Sequence, residues 1–351
     1  MLVSHYSQQR ALQGEQSRRT LFIGRFFHCG VFLVPATTPS TQQRLPIDTK
    51  AFLICLVLCF IWGLQQVAIK AAGNDISPLL QVGIRSGVSG LFVFLLNHFY
   101  LHEKWAPVKW TDGFLVGITF AAEFFFVAEG LRYTSASHIS VLLYTAPVFA
   151  AVGLAIRLPE ERLSVVQWMG LLLAFVGIGV AFLLPVLLSD APLTSGELWW
   201  VGDLLGLCAG LSWGSTTIFL RSTSMNDAVP TQMIAWQLWT AFVVLVPCAF
   251  LLDQVEFHST LLGWSSLIFQ SVIVSFLSYL AWSRLLRRYL AARLGVVVFL
   301  TPLFGVLLSI LLLGESVGLP FIIGSLCVLV GMITVQTGGR LRKVFAWKKR
   351  F

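Results

Sequence analysis

The chain has 351 residues, of which 57% are hydrophobic and 11% charged, with a mean hydropathy of +0.82 and a formal net charge of +8. Soluble domains carry roughly 45–50% apolar and about 25% charged residues, so this composition excludes a soluble globular protein, a coiled coil and a disordered chain. Six cysteines (Cys29, Cys55, Cys59, Cys208, Cys248, Cys327) show no CxxC or metal-finger spacing, which implies neither a disulfide framework nor a metal site, and no cofactor is expected.

Residues 1–50 form a leader. Its first part, SHYSQQRALQGEQSRRT, is polar and unpatterned, and FIGRFFHCGVFLVP is too short and too interrupted by Arg25 and His28 to span a bilayer. A cleaved signal peptide is a weak reading. The expected start of translation lies near Leu45, because PIDTKAFLI is a short polar lead into a full-length helix. A bilayer core about 30 Å thick needs roughly 20 apolar residues at 1.5 Å rise. Ten windows meet that length, at roughly 51–72, 79–100, 111–131, 136–157, 165–187, 200–221, 230–252, 263–286, 292–313 and 317–338. Residues 339–351 form a basic tail.

The placement of positive charge decides its meaning. With the N-terminus inside, cytoplasmic segments hold 21 of the 24 Lys and Arg, the outer loops keep Arg132, and Lys70 and Arg85 lie in spans. That is the positive-inside rule of an inner (plasma) membrane protein with both termini cytoplasmic, and it is no nucleic-acid footprint.

An internal repeat follows. Trp62, Gly63 and Lys70 match Trp213, Gly214 and Arg221 at an offset of 151; Arg132 and Pro147 match Arg287 and Pro302 at 155; Glu161, Gly170 and Gly177 match Glu315, Gly324 and Gly331 at 154. Each half holds five spans, and an odd number inverts the copy. The expected fold is therefore an all-α membrane protein of ten transmembrane helices in two inverted five-helix repeats, 51–187 and 200–338, with a substrate site near the midplane between them.

Trp62-Gly63 to Lys70, Pro78 with Arg85, Leu131-Arg132-Tyr133-Thr134-Ser135-Ala136 leading to Pro147, and Glu161-Arg162-Leu163 before Gly170 and Gly177 resemble the EamA-type drug/metabolite transporters over residues 51–338. The resemblance implies a ten-helix basket and export of small organic metabolites without ATP. One departure stands out. Arg85 has no basic counterpart in the second half, where Trp236 or Gln237 occupies its place.

Charges inside a membrane cost about 2.5–3.5 kcal/mol on insertion scales and point to function by default. Arg85, Glu123 and Glu129 all fall in the outer half of their spans. They are expected to form either an ion pair between adjacent helices, or a guanidinium for a substrate carboxylate beside a Glu that takes up protons. His138 is a candidate for the same relay. Trp62, Trp213 and Tyr144 are candidate lining, the two tryptophans because they recur at one repeat position. Pro147 and Pro302 are candidate hinges at matched places. Glu161 and Glu315 are expected to cap the helix that follows each. Gly83 with Gly87, Gly113 with Gly117, and Gly206, Gly210 and Gly214 are expected at close helix contacts.

Two other classes compete. Gly87-Val88-Ser89-Gly90 matches the GxSG of rhomboid-type intramembrane proteases, but such a serine needs a histidine at its own depth, and His138 lies near a surface. His98, His102 and Glu103 read as a polar helix end, and no Walker A sequence exists. A passive scaffold leaves the inverted repeat unexplained. The reading is thus a permease for a small-molecule substrate such as an amino acid, not an enzyme, with the lipid bilayer as its surroundings and a homodimer compatible with it.

Overall fold

The computed structural model describes residues 48–157, 164–188, 198–289, 294 and 297–348. Glu161 and the leader through residue 47 lie outside them. The described chain is helical: α1 Thr49–Ala71, α2 Pro78–Leu96 continued by a π turn Asn97–Leu101, α3 Trp110–Tyr133, α4 Ala136–Leu143, α5 Ala146–Arg157, α6 Val165–Leu188, α7 Trp199–Ser222, α8 Pro230–Leu251, α9 Leu261–Ile268 continued by a π segment Phe269–Ser278, α10 Tyr279–Arg288, α11 Thr301–Leu313 and α12 Leu319–Lys348. Among the described residues, seven stretches are long and apolar enough to cross a membrane: 49–71, 78–101, 110–133, 136–157, 199–222, 230–251 and 261–285. Three shorter apolar helices fall at 165–181, 301–313 and 319–335.

Local signals set the helix ends. The Asp48 carboxylate accepts the Ala51 amide at 2.7 Å, Ser135 Oγ accepts the His138 amide at 3.1 Å, and Thr260 Oγ1 accepts the Gly263 amide at 2.9 Å. Pro78 and Pro230 occupy first-turn positions, where their missing N–H costs nothing. Gly314, at φ +66°, ends α11 in the left-handed conformation that glycine adopts freely.

The helices pair across the two halves. α1 packs on α11, α2 on α8, α3 on α7 and α8, α4 and α5 on α7, and α6 on α12. The α6–α12 seam shows the symmetry directly, since Gly170 meets Gly331 and Gly177 meets Gly324. Each of these pairs joins a residue to the repeat partner of the other, which is the pattern of a self-complementary contact about a twofold axis. A methyl group on Gly170 would lie 2.8 Å from the Gly331 carbonyl oxygen, so backbones touch there without side chains. Likewise Gly63 lies against Gly305, and its repeat counterpart Gly214 against Ala150. The smaller glycine pairs serve the same seams: Gly83 and Gly87 face Val246 and Phe242, and Gly113 and Gly117 face Trp236 and Thr240. Gly206, Gly210 and Gly214 receive Leu142, Thr145 and Phe149.

The fourth span is broken. Its α4 half ends in a turn at Tyr144–Thr145, just before Ala146 and Pro147, whose ring cannot donate to the carbonyl one turn back. Thr145 covers the break by donating its amide and its hydroxyl to the Leu142 carbonyl, at 3.0 and 2.6 Å. The same interruption recurs at Phe299–Leu300, directly before Thr301 and Pro302. Pro147 therefore sits just past a turn within the span 136–157, and Pro302 just past a turn at the start of α11.

Candidate substrate site between the repeats

Arg85 is the most deeply buried charge among the described residues, with no exposed surface. It stands on α2, and Ser89, one turn on, ties that helix to the π segment by donating to the Arg85 and Ser271 carbonyls at 2.6 and 2.8 Å. The guanidinium lies over Phe124 of α3, its carbon 4.1 Å from the ring centroid. That ring supplies a cation–π attraction. Nε and Nη1 have no hydrogen-bond partner.

The ion pair expected between Arg85 and Glu123 or Glu129 is not formed. Glu123, buried one residue before Phe124, makes no ion pair with Arg85. Glu129 is engaged elsewhere: its carboxylate takes Arg132 Nη1 at 2.9 Å and Gln254 Nε2 at 2.6 Å. Its partners lie on its own helix end and in the loop after α8, facing away from Arg85. His138 also belongs to another cluster. Its Nδ1 is 2.9 Å from Asp203 Oδ1, the same oxygen accepts Thr134 Oγ1 at 2.6 Å, and the imidazole stacks on Phe321 at 4.4 Å.

Aromatic rings line the same interior. Phe120 stands edge-on to Phe124 at 4.9 Å and faces Tyr279 at 6.4 Å. Tyr144, at the break of the fourth span, is buried edge-on against Trp213 at 5.2 Å. Trp62 donates Nε1 to Ser278 Oγ at 2.8 Å and stands edge-on to Trp282 at 5.6 Å. The two repeated tryptophans therefore both face the interior, yet with different partners. The asymmetry at Arg85 has a structural counterpart. In its repeat position Trp236 packs on Gly113, so an indole fills a helix seam where the first half carries a guanidinium.

Several polar groups missing from the sequence-based set share this interior. Ser275 on the π segment lies beside the Tyr279 hydroxyl, Thr301 at the start of α11 lies beside Tyr144 and Cys59, and Gln270 Oε1 is buried without a partner. Gln270 Nε2 donates to Gln81 Oε1 at 2.7 Å, and Gln81 Nε2 donates to the Ile76 carbonyl at 2.7 Å. Runs of π helix are rare and mark functional sites, but the apolar stretch around Phe269 carries no sequence sign of one. A buried unpartnered polar atom costs about 1–3 kcal/mol and a charged group more. The unpartnered Nε and Nη1 of Arg85 therefore carry a cost that a solute supplying the missing bonds would remove. Ser89, whose hydroxyl already serves two backbone carbonyls, is a tie between helices and not a poised nucleophile.

An EamA-like transporter family model matches residues 49–183 and 200–337, one match per repeat. The chain belongs to the EamA-like transporter family. Similar proteins include a Salmonella typhimurium protein named "Probable amino-acid metabolite efflux pump", 25% identical over 307 residues that cover 85% of this chain and 98% of that protein. An Escherichia coli protein of the same name is 26% identical, covering 85% and 98%. A Bacillus subtilis protein named "Uncharacterized transporter YvbV" is 27% identical, covering 87% and 97%. One solved structure has a TM-score of 0.58 at 13% identity and covers 84% of this chain and 99% of its own, which shows a shared fold. The chain is a multi-pass membrane transporter of small metabolites.

Proposed function

We propose that this EamA-family member is a ten-helix exporter of the inner membrane with cytoplasmic termini. It moves an amphipathic metabolite carrying a carboxylate, such as an amino acid, by alternating access between the repeats 51–187 and 200–338. The observation that carries this reading is Arg85: a fully buried guanidinium over Phe124 with two unpartnered nitrogens. A buried guanidinium with donors to spare suits a substrate carboxylate. Glu123, within electrostatic reach but unbonded to Arg85, suits a substrate ammonium or a coupled proton. Tyr144, Trp213 and Trp62 supply apolar and edge contacts for the rest of the molecule. Pro147 and Pro302 place the bends of the fourth and ninth spans beside this volume. The names of the Salmonella and E. coli relatives favour outward movement of amino-acid metabolites.

The test is counterflow of an isotope-labelled amino-acid mixture in proteoliposomes, read by mass spectrometry. Arg85→Lys keeps the charge but loses the fork, and is expected to lower the transported signal roughly tenfold or more at unchanged abundance. Parental rate and affinity in well-expressed Arg85→Ala would remove the substrate role from Arg85.

A further inference from the structure

We propose that Glu315 is the positioning residue of the outer end of the transport path: it latches the half-helix α4, which ends at Tyr144, shut against the second repeat. The proposal takes alternating access from the reading above.

Glu315 follows Gly314 in the turn between α11 and α12, where the sequence suggests a cap for the next helix. The structure turns it instead onto the first repeat. Its Oε1 accepts the Ala136 amide at 2.7 Å, and its Oε2 accepts the Ser137 amide at 3.0 Å and the Ser137 hydroxyl at 2.6 Å. These are the first free N–H groups of α4, so the carboxylate satisfies them and meets the positive end of the helix dipole. The Ser137 hydroxyl also touches that of Ser309 on α11, and both residues are fully buried.

The other side of the same turn is held too. Lys70, at the last turn of α1, donates Nζ to the Leu131 carbonyl at 3.4 Å and, more closely, to the Thr134 carbonyl, at the C-terminal end of α3. Lys70 of the first repeat and two acids of the second, Glu315 and Asp203, thus hold residues 131–138, with Glu315 alone bonded to the first amides of α4.

The geometry gives this clamp a moving part. α4 has only eight residues and is separated from α5 by the Tyr144–Thr145 turn, so it can swing without unfolding the inner half of its span. Its outer end bears the Glu315 bonds, and its inner end places Tyr144 against Trp213. Arg85 has no exposed surface, so the region between the halves is closed, and a solute leaving outward must part some contact at that end. The Gly63–Gly305 and Gly214–Ala150 seams are backbone-close and carry no exchangeable bond. Glu315 offers three bonds that water can replace.

The experiment needs no substrate, so its failure is separate from failure of the amino-acid reading. In a full-length chain with Cys29, Cys55, Cys59, Cys208, Cys248 and Cys327 replaced by Ala, Ser275→Cys places one thiol in the interior. A membrane-impermeant maleimide added outside should label it slowly. Adding Glu315→Ala should raise that rate roughly tenfold, the shift expected when charge-assisted bonds are lost, and Glu315→Gln should raise it less. In a second variant, Ser137→Cys with Ser309→Cys, oxidised to a bridge before labelling, the Ser275→Cys thiol should be protected below the parental rate until reductant is added. Unchanged labelling in Glu315→Ala or Glu315→Gln at normal abundance would overturn the latch. So would labelling of the bridged protein as fast as the unbridged one, an outcome that decides the matter even if both Glu315 variants fail to accumulate.

Discussion

The outer rim and the centre of the molecule use buried polar groups in opposite ways. At the rim every charge discussed is bonded: Glu129 to Arg132 and Gln254, Asp203 to Thr134 and His138, Glu315 to the start of α4, and Lys70 to the end of α3. In the interior Arg85 has two unpartnered nitrogens and Gln270 an unpartnered oxygen. A folded chain under selection for stability alone would not keep the second arrangement, since a buried charge can often be replaced by an apolar residue with a gain of 1–4 kcal/mol. The difference is the one that the proposed substrate role of Arg85 requires, with the rim charges holding helices together and the central guanidinium keeping donors in reserve.

The strongest test of that division is Arg85→Met. It should abolish transport while raising resistance to thermal unfolding in detergent, by about 1–3 kcal/mol, because two unpartnered nitrogens leave the interior and the apolar Met side chain can still pack on Phe124. A lower melting temperature would mean that Arg85 is structural after all. Asp203→Ala is the mirror case. It strips Thr134 and His138 of their shared carboxylate and should lower stability by about 1–3 kcal/mol, with transport per folded molecule near the parental value. Loss of transport without loss of stability would move His138 and Asp203 out of the rim and into the transport path.

The helices and the inverted repeat were legible in the sequence because both are local or periodic signals: apolar runs of span length, and Trp62, Pro147 and Gly177 recurring at nearly constant offsets. Lone charges in apolar runs also drew attention to Arg85 and Glu123. The partners were not legible, because the twofold relation and not the chain sets them. Glu129 and Gln254 are 125 residues apart, His138 and Asp203 are 65 apart, and Glu315 and Ala136 are 179 apart. Glu315 illustrates the limit. A carboxylate after a helix-ending glycine suggests a cap for the next helix, and only the assembled repeats bring the start of α4 nearer. Asp203, an acid four residues into an apolar span, was a visible sign that the set of site candidates omitted.

The smallest effect is expected at Glu129, where the rim meets water. Glu129→Gln keeps an oxygen that can accept from Gln254 Nε2, so the buried half of the arrangement survives. What it loses is the charge opposite Arg132, whose side chain is 42% exposed and three residues along the same helix. Exposed pairs of that spacing contribute about 0.3–0.5 kcal/mol and are screened by salt. Thermal unfolding should therefore fall by less than about 1 kcal/mol, and the difference from the parental protein should shrink further in high salt, with transport unchanged. A salt-independent loss well above 1 kcal/mol, or a clear fall in transport, would show that Glu129 acts inward on the Arg85 region. The contrast between a fully bonded rim and a centre with unpartnered donors would then fail at the residue where it is most finely drawn.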